Sequence, residues 1–419
     1  MANHRTSIFI GAGAGKRCKS KPSHSLRRPP AIQRQEVPCV MPGTATKRPS
    51  VAPRPPAFET LIITTTTACN LNCVYCHNKP YFNSVFPGGY TLDKDNFAHV
   101  CRDYFSYLTA KGLIRAQFCF SGGEPLSMGT GFYETLFQIQ KKALDETGNT
   151  VLRPVNLIQT NGLLLDKKWA GFLKKNNVKV GLSADGPGTI QDRTRPLKDT
   201  GGSFNILNEK VDLLRAEKVE FGFLTVVSGF NKSAAGPTMD WLISKNPGSI
   251  AFIPCLDYEG AVNAGDYGEF LLKAFERWLA LKKYNIRVRN FHFALLHFLG
   301  SGRVDLPCEN AGGCPCTINV NLNGDVYVCD AFMGNQKGYL GNLKKTSLLK
   351  LEKSAKYKKV RGFVSLLPAL CGKCEYLPIC NGGCFYRRLN EKNLDYLCPA
   401  NKKLFSRIKQ YASKNLKIF

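Results

Sequence analysis

Nine of the 17 cysteines in this 419-residue chain fall between Cys308 and Cys398, and that concentration restricts the possible folds more than any other feature. The stretch has few long periodic segments, so thiols tied to a metal or to each other must supply stability that packing does not. Three further cysteines stand in Cys69-Asn-Leu-Asn-Cys73-Val-Tyr-Cys76, a C-x3-C-x2-C loop. The choice between disulfides and metal depends on compartment. No run of 18 or more apolar residues occurs, and the N-terminus lacks the apolar core of a secretory signal. The expectation is a soluble, cytoplasmic protein with no membrane partner, where thiols stay reduced and clustered cysteines point to metal or catalysis.

Charge is the second departure from the ordinary. Lys and Arg number 58 against 31 Asp and Glu, a formal +27, which taken alone reads as a nucleic-acid binder. Its location weakens that reading. Residues 1–57 hold eleven Lys or Arg and one acid, Glu36. They are rich in Pro, Ser, Ala and Gly without a sustained period, the composition of a disordered basic tail. Such a tail also resembles a transit peptide, an over-extended gene start or a flexible arm. Its run GAGAGK is no phosphate loop, because the glycine spacing is wrong and Arg17 stands where a magnesium-binding Ser or Thr is needed. Elsewhere the basic pairs, such as Lys141-Lys142 and Lys358-Lys359, fall on helical patterns whose ordinary meaning is a solvated face. Nucleic acid is therefore not the expected partner, and a basic surface would equally steer an acidic peptide or a reduced flavodoxin.

From Phe58 onward short apolar runs alternate with amphipathic stretches. Strands are predicted at Leu61 to Thr66, Arg115 to Phe120, Pro154 to Gln159, Val178 to Ser183, Glu220 to Val227 and Ser249 to Pro254, with helices near 93–111, 129–147, 166–176, 203–217 and 236–245. Six strands separated by helices imply an α/β fold with a mostly parallel sheet, a partial (β/α)6 TIM-like barrel whose sites lie in the loops after the strands. The expected division is a tail at 1–57, the barrel at 58–300, and a cysteine-rich region at 301–419 that closes with a terminal helix.

The motifs fall in those loops. Three thiolates on an irregular loop can cap three irons of a cubane and leave the fourth open, whereas a structural zinc site wants a fourth ligand. After the second strand comes Ser121-Gly122-Gly123-Glu124-Pro125, a turn that offers carbonyls and a carboxylate to an amine. Gln159-Thr160-Asn161-Gly162 ends the third strand. Ser183-Ala184-Asp185-Gly186-Pro187 ends the fourth and is followed by Arg193 and Arg195, either able to clamp a carboxylate. Cys18, Cys39, Cys101, Cys119 and Cys255 stand outside any pattern and read as buried or incidental thiols. His77 reads as a neighbour of the loop rather than a ligand.

The C-x3-C-x2-C loop with an aromatic residue before its third cysteine, followed by GGEP on the next strand, resembles the radical S-adenosylmethionine superfamily. That resemblance implies a 4Fe-4S cluster on Cys69, Cys73 and Cys76, whose open iron chelates S-adenosylmethionine (SAM) for cleavage to a 5′-deoxyadenosyl radical. It makes Tyr75, Gly123, Ser183, Arg195 and Leu256 the expected SAM contacts. The C-terminal cysteines are similar to the SPASM extension, which carries two auxiliary 4Fe-4S clusters. By that pattern Cys308, Cys314, Cys329 and Cys384 would hold one cluster and Cys371, Cys374, Cys380 and Cys398 the other, three clusters in all. Cys316, in Cys314-Pro-Cys316, competes with Cys314, which the family spacing favours. C-x2-C pairs alone would suit zinc, but the complete set in one chain favours iron-sulfur.

Within that group residues 58 to about 400 look closest to anaerobic sulfatase-maturating enzymes, which oxidise a Cys or Ser side chain to formylglycine. Asp330, directly after Cys329, takes the place of their proton acceptor; the alternative is a carboxylate that caps a turn. The implied partners are a protein or peptide substrate and an electron donor such as reduced flavodoxin or ferredoxin. Thioether or carbon-carbon crosslinking of a peptide, and dehydrogenation or epimerisation of a small molecule, use the same radical source and stay open on sequence grounds.

Overall fold

The computed structural model describes residues 57–199, 201–256, 258, 260–301, 306–390 and 392–415; the basic tail expected up to residue 57 lies almost wholly outside them. Ten strands form one sheet: β1 (Thr60–Thr66), β2 (Arg115–Gly122), β3 (Arg153–Thr160), β4 (Lys179–Ser183), β5 (Phe221–Val227), β6 (Ser249–Pro254), β7 (Arg287–Val288), β8 (Thr317–Val320), β9 (Asp325–Tyr327) and β10 (Tyr339–Asn342). Their spatial order is β10-β9-β8-β1-β2-β3-β4-β5-β6-β7. Strands β1 to β6 run parallel in sequence order, as a right-handed series of strand-helix units requires. This is the partial (β/α)6 barrel, and its six strands match the six predicted runs to within a residue or two.

The helices between strands start where the sequence supplies caps. Asp93 accepts from Asn96 N at 2.8 Å ahead of the helix Lys94–Ala110, and Asp166 accepts from Trp169 N at 2.7 Å ahead of Lys167–Lys175. The helices cover the sheet with aromatic side chains. Phe118 and Phe120 on β2 meet Phe97 and Tyr133, and Trp169 and Phe172 extend the same layer. These rings are almost fully buried, so the barrel has a large core that needs no metal to hold it.

The sheet does not stop at the expected boundary near residue 300. Strand β8 pairs parallel to β1, from Thr60 against Thr317 to Ile63 against Val320, and β9 and β10 follow antiparallel. Four-residue strands amid turn residues carry little periodic signal, which is why the sequence shows no sheet there. The terminal helix Cys398–Asn415 also returns to the barrel. Gly268 lets it approach the helix Ala264–Leu281, since a Cβ there would lie 3.1 Å from Ala400 Cα, and Phe405 packs edge-on to Phe293. Among the described residues no helix is long and apolar enough to cross a membrane.

Candidate functional site

The loop after β1 carries Cys69, Cys73 and Cys76, and its shape is held by backbone bonds rather than by helix or strand. Asn72 N donates to Pro196 O at 2.9 Å, Val74 N to Thr194 O at 3.1 Å, and Lys198 N to Asn70 O at 3.1 Å. The segment after β4 therefore grips the loop from one side. Asn161 Nδ2 grips it from another, donating to Asn70 Oδ1 at 2.7 Å. All three thiols line a cavity of about 480 Å³ at the C-terminal ends of the strands. Burial pushes the Cys69 thiol up, and pushes Cys73 up to about 12 against the opposing charge of Arg195, so both are neutral thiols that must shed a proton on binding metal.

The GGEP turn is built into the cysteine loop. Gly122 has φ +131°, and a Cβ on Gly123 would lie 2.1 Å from Ala68 O. The glycines are required because the turn packs directly on the backbone of the cysteine loop: Gly123 N donates to Thr66 O and Glu124 N to Ala68 O, each at 2.7 Å. The Glu124 carboxylate, 1% exposed, accepts from Leu126 N at 2.9 Å, Thr160 Oγ1 at 2.6 Å and Asn161 N at 2.8 Å. It ties β2 to the end of β3 and does not line the cavity. Gly123 itself still lines the cavity.

Behind the loop stands a buried charge pair. Asp185 is fully buried and accepts from Arg195 Nε at 3.1 Å, from Val226 N at 3.0 Å and from the Tyr75 hydroxyl. Burial opposes the charge on Arg195, but Asp185 outweighs it and holds the guanidinium pKa above its usual value. Arg195 lies over the Tyr75 ring at 5.4 Å and reaches within 4.0 Å of Cys73 Sγ. The structure thus brings Tyr75, Gly123, Ser183, Arg195 and Leu256 to one cavity wall with the three thiols. Ser183 Oγ accepts from Gln159 Nε2 at 2.9 Å, which orients it.

The C-terminal cysteines divide in space. Cys308, Cys329 and Cys384 line the same large cavity. Cys314 belongs with them: burial first, and then the thiols of Cys384 and Cys308, raise its pKa, and burial and then Cys314 raise that of Cys329. Cys371, Cys374, Cys380 and Cys398 line a separate cavity of about 280 Å³. Cys316 is also close to Cys308 and Cys314, adding to burial in raising the pKa of both thiols, while its carbonyl accepts from Glu59 N at 2.8 Å where β8 meets β1; neither Cys314 nor Cys316 lines either cavity. Among the described residues no three His, Cys, Asp or Glu side chains are gathered closely enough for one metal ion, as zinc with bonds of about 2.3 Å to sulfur would demand. An all-thiol donor set spread around two cavities, in threes and fours, fits cubane clusters, whose irons are each held by one cysteine.

Asp330 lies on the large cavity wall beside Cys329. Burial raises its carboxyl pKa, opposed by His77 and by Asn319 Nδ2, which donates to Asp330 Oδ1 at 2.7 Å. Sequence reasoning missed several lining residues: Arg289, Glu309, Asn310, Arg387 and Cys255. Cys255, read as a bystander, packs with Tyr75 and Val226 at the end of β6; its position after a strand was the available signal. The others stand on short turns or after the two-residue β7, where no motif marks them.

Residues 63–242 match the family model described as the Radical SAM superfamily, and residues 312–375 match the SPASM iron-sulfur cluster-binding domain. The chain is 29% identical over 366 residues to a cysteine-type anaerobic sulfatase-maturating enzyme of Clostridium perfringens, covering 84% of this chain and 96% of the relative. It is 28% identical over 382 residues to a serine-type anaerobic sulfatase-maturating enzyme of Bacteroides thetaiotaomicron, covering 82% and 87%. A solved structure described as native anSMEcpe with bound AdoMet and Cp18Cys peptide superposes with a TM-score of 0.73 at 27% identity, over 85% of this chain and 99% of that one.

Proposed function

We propose that this chain, which carries a radical SAM domain followed by a SPASM domain with the 4Fe-4S clusters and SAM those domains imply, modifies a residue of a protein or peptide and oxidises a Cys or Ser side chain to formylglycine. The observation that carries the proposal is the single cavity that collects the Cys69 loop, the SAM-side residues, Asp330 and three of the first auxiliary cysteines. A substrate side chain in that space meets the radical source, a proton acceptor and an electron acceptor together.

Cys69, Cys73 and Cys76 would hold the first cluster, with Cys308, Cys314, Cys329 and Cys384 on the second and Cys371, Cys374, Cys380 and Cys398 on the third. When bound, these groups and SAM would supply one-electron chemistry: removal of a hydrogen atom from the substrate Cβ and acceptance of the second electron, which with loss of a proton gives the aldehyde directly from Ser, and from Cys a thioaldehyde that water hydrolyses with release of sulfide. The protein's own residues supply the rest. Arg195, fixed by Asp185, and Ser183, fixed by Gln159, orient the SAM carboxylate, while Tyr75, Gly123 and Leu256 shape the wall on which SAM lies. Asp330 takes the proton that leaves the substrate; its buried setting favours the protonated product of that step. The relatives include both cysteine-type and serine-type enzymes, and the apolar residues around the cavity do not select between a thiol and a hydroxyl.

The test is anaerobic reconstitution with dithionite, SAM and sulfatase-type peptides bearing a central Cys or Ser. Release of 5′-deoxyadenosine with an aldehyde that a hydrazide captures is the expected result. Nucleoside release without any aldehyde would overturn the formylglycine reading. Asp330→Asn is expected to lower the ratio of aldehyde to nucleoside by roughly a hundredfold.

A further inference from the structure

One stretch of the cavity wall is polar in a way that the SAM side and the cysteines do not explain. Arg289 opens the helix Arg289–Phe298 after β7, and Glu309 and Asn310 lie on the turn Cys308–Asn310. All three line the cavity. Two buried donors there have no hydrogen-bond partner among the described residues: Arg289 Nε and Asn310 Nδ2. Asn310 is only 4% exposed, and a buried amide donor without an acceptor is a cost that folded proteins seldom leave standing.

The neighbours show that the vacancy is local. Asn290, next in sequence to Arg289, is satisfied at both ends, accepting from Phe252 N at 2.8 Å and donating to Phe252 O at 2.9 Å. The backbone of Asn310 is likewise committed, with its carbonyl accepting from Asn381 Nδ2 at 2.8 Å and its N–H donating to Pro307 O at 2.8 Å. The side-chain amide is therefore held in place by groups that make no use of it. The cavity's other guanidinium groups are already engaged, Arg195 by Asp185 and Arg387 by a bidentate pair with Asp395 at 2.7 to 3.0 Å.

The charge at this place is balanced. Arg289 Nη2 lies 3.3 Å from Glu309 Oε1, so the subsite offers two donors and a carboxylate acceptor with little net charge. A phosphate or free carboxylate would have to be buried beside Glu309, which like charge opposes. A peptide amide is the complementary group: its carbonyl accepts from Asn310 and Arg289, and its N–H donates to Glu309. We infer that Arg289, Glu309 and Asn310 form a subsite that binds one backbone amide of the substrate and fixes the chain beside Asp330. This rests on the peptide-modifying reading above and adds to it the residues that hold the peptide.

The experiment measures binding of a fluorescein-labelled, single-cysteine peptide, blocked at both termini, to reconstituted SAM-loaded enzyme by anisotropy under anaerobic, unreduced conditions. Asn310→Asp and Arg289→Gln are each expected to raise Kd about tenfold, and in turnover to raise KM for the peptide far more than they lower kcat. Because Asn310 is two residues from Cys308, iron content is measured on both variants; if Asn310→Asp loses iron, Arg289→Gln decides. An unchanged Kd in an iron-replete variant overturns the subsite while wild-type turnover of the peptide leaves the function standing. Tight binding that appears only with a free C-terminal carboxylate overturns the assignment to an amide. Failure of the wild-type enzyme to modify any peptide while it cleaves SAM overturns the peptide-modifying reading and the subsite with it.

Discussion

The cysteine loop of the barrel and the cysteine region beyond residue 306 present similar thiols on very different supports. Around Cys69, Cys73 and Cys76 the backbone is bonded to the segments after β3 and β4, and the buried Asp185–Arg195 pair stands behind it, as the buried Arg387–Asp395 pair stands beside Cys384. Around Cys371 to Cys398 the elements are four-residue helices and turns, Ala369–Gly372 and Leu377–Cys380, whose few exceptions include Arg388, 1% exposed and bonded to three carbonyls of the segment 363–366. The contrast predicts that the barrel site keeps its shape without metal and that the distal site gains more of its order from the metal it would hold. Leu366 and Leu370 are 65% and 71% exposed there, while Ile379, Phe385 and Leu397 are buried.

The largest expected effects separate the two sites outright. Cys73→Ala should abolish 5′-deoxyadenosine formation and lower iron from about twelve per chain to about eight, yet leave the thermal unfolding of the barrel unchanged; loss of the fold would break the contrast. Cys380→Ala should lose about four irons and make residues 366–398 sensitive to limited proteolysis, with the strands of the barrel still protected. Equal protease resistance with and without the distal cluster would show that packing alone holds that region.

A smaller change tests the support of the barrel site. Asp185→Asn leaves Arg195 buried without its counter-charge and should cost about 3–5 kcal/mol of stability, read from the denaturant midpoint, together with a raised KM for SAM. Stability within error of wild type would mean that the loop is held by its backbone bonds alone. The smallest expected effect is at Cys316. Cys316→Ser should keep the full iron content and activity, whereas Cys314→Ser should lose about four irons; the reverse result would exchange their roles.

Much of the barrel was legible because each strand is a short apolar run bounded by turn residues and three of the helices open on a capping Asp or Asn, at Asp93, Asp166 and Asn263. Cys69, Cys73 and Cys76 were legible for a different reason: ligand spacing on one loop is local and survives in one dimension. The meaning of GGEP was not. Gly123 is glycine because Ala68, 55 positions earlier in the chain, passes beside it, and Glu124 is bonded to the end of another strand. Nor were Arg289 and Asn310 legible, being brought together by a two-residue strand and a three-residue turn that carry no period.

The sequence by itself determined the order of strands and helices and the spacing of the cysteines, because hydrophobic period and residue spacing are properties of neighbouring residues; the division of eight cysteines between two clusters came from the family resemblance. Only the tertiary structure decided that β8 joins the barrel at β1 and that Cys308, Cys329 and Cys384 share a cavity with the first loop. Those outcomes depend on pairings between residues hundreds of positions apart, which backbone hydrogen bonding and burial select and no local pattern records.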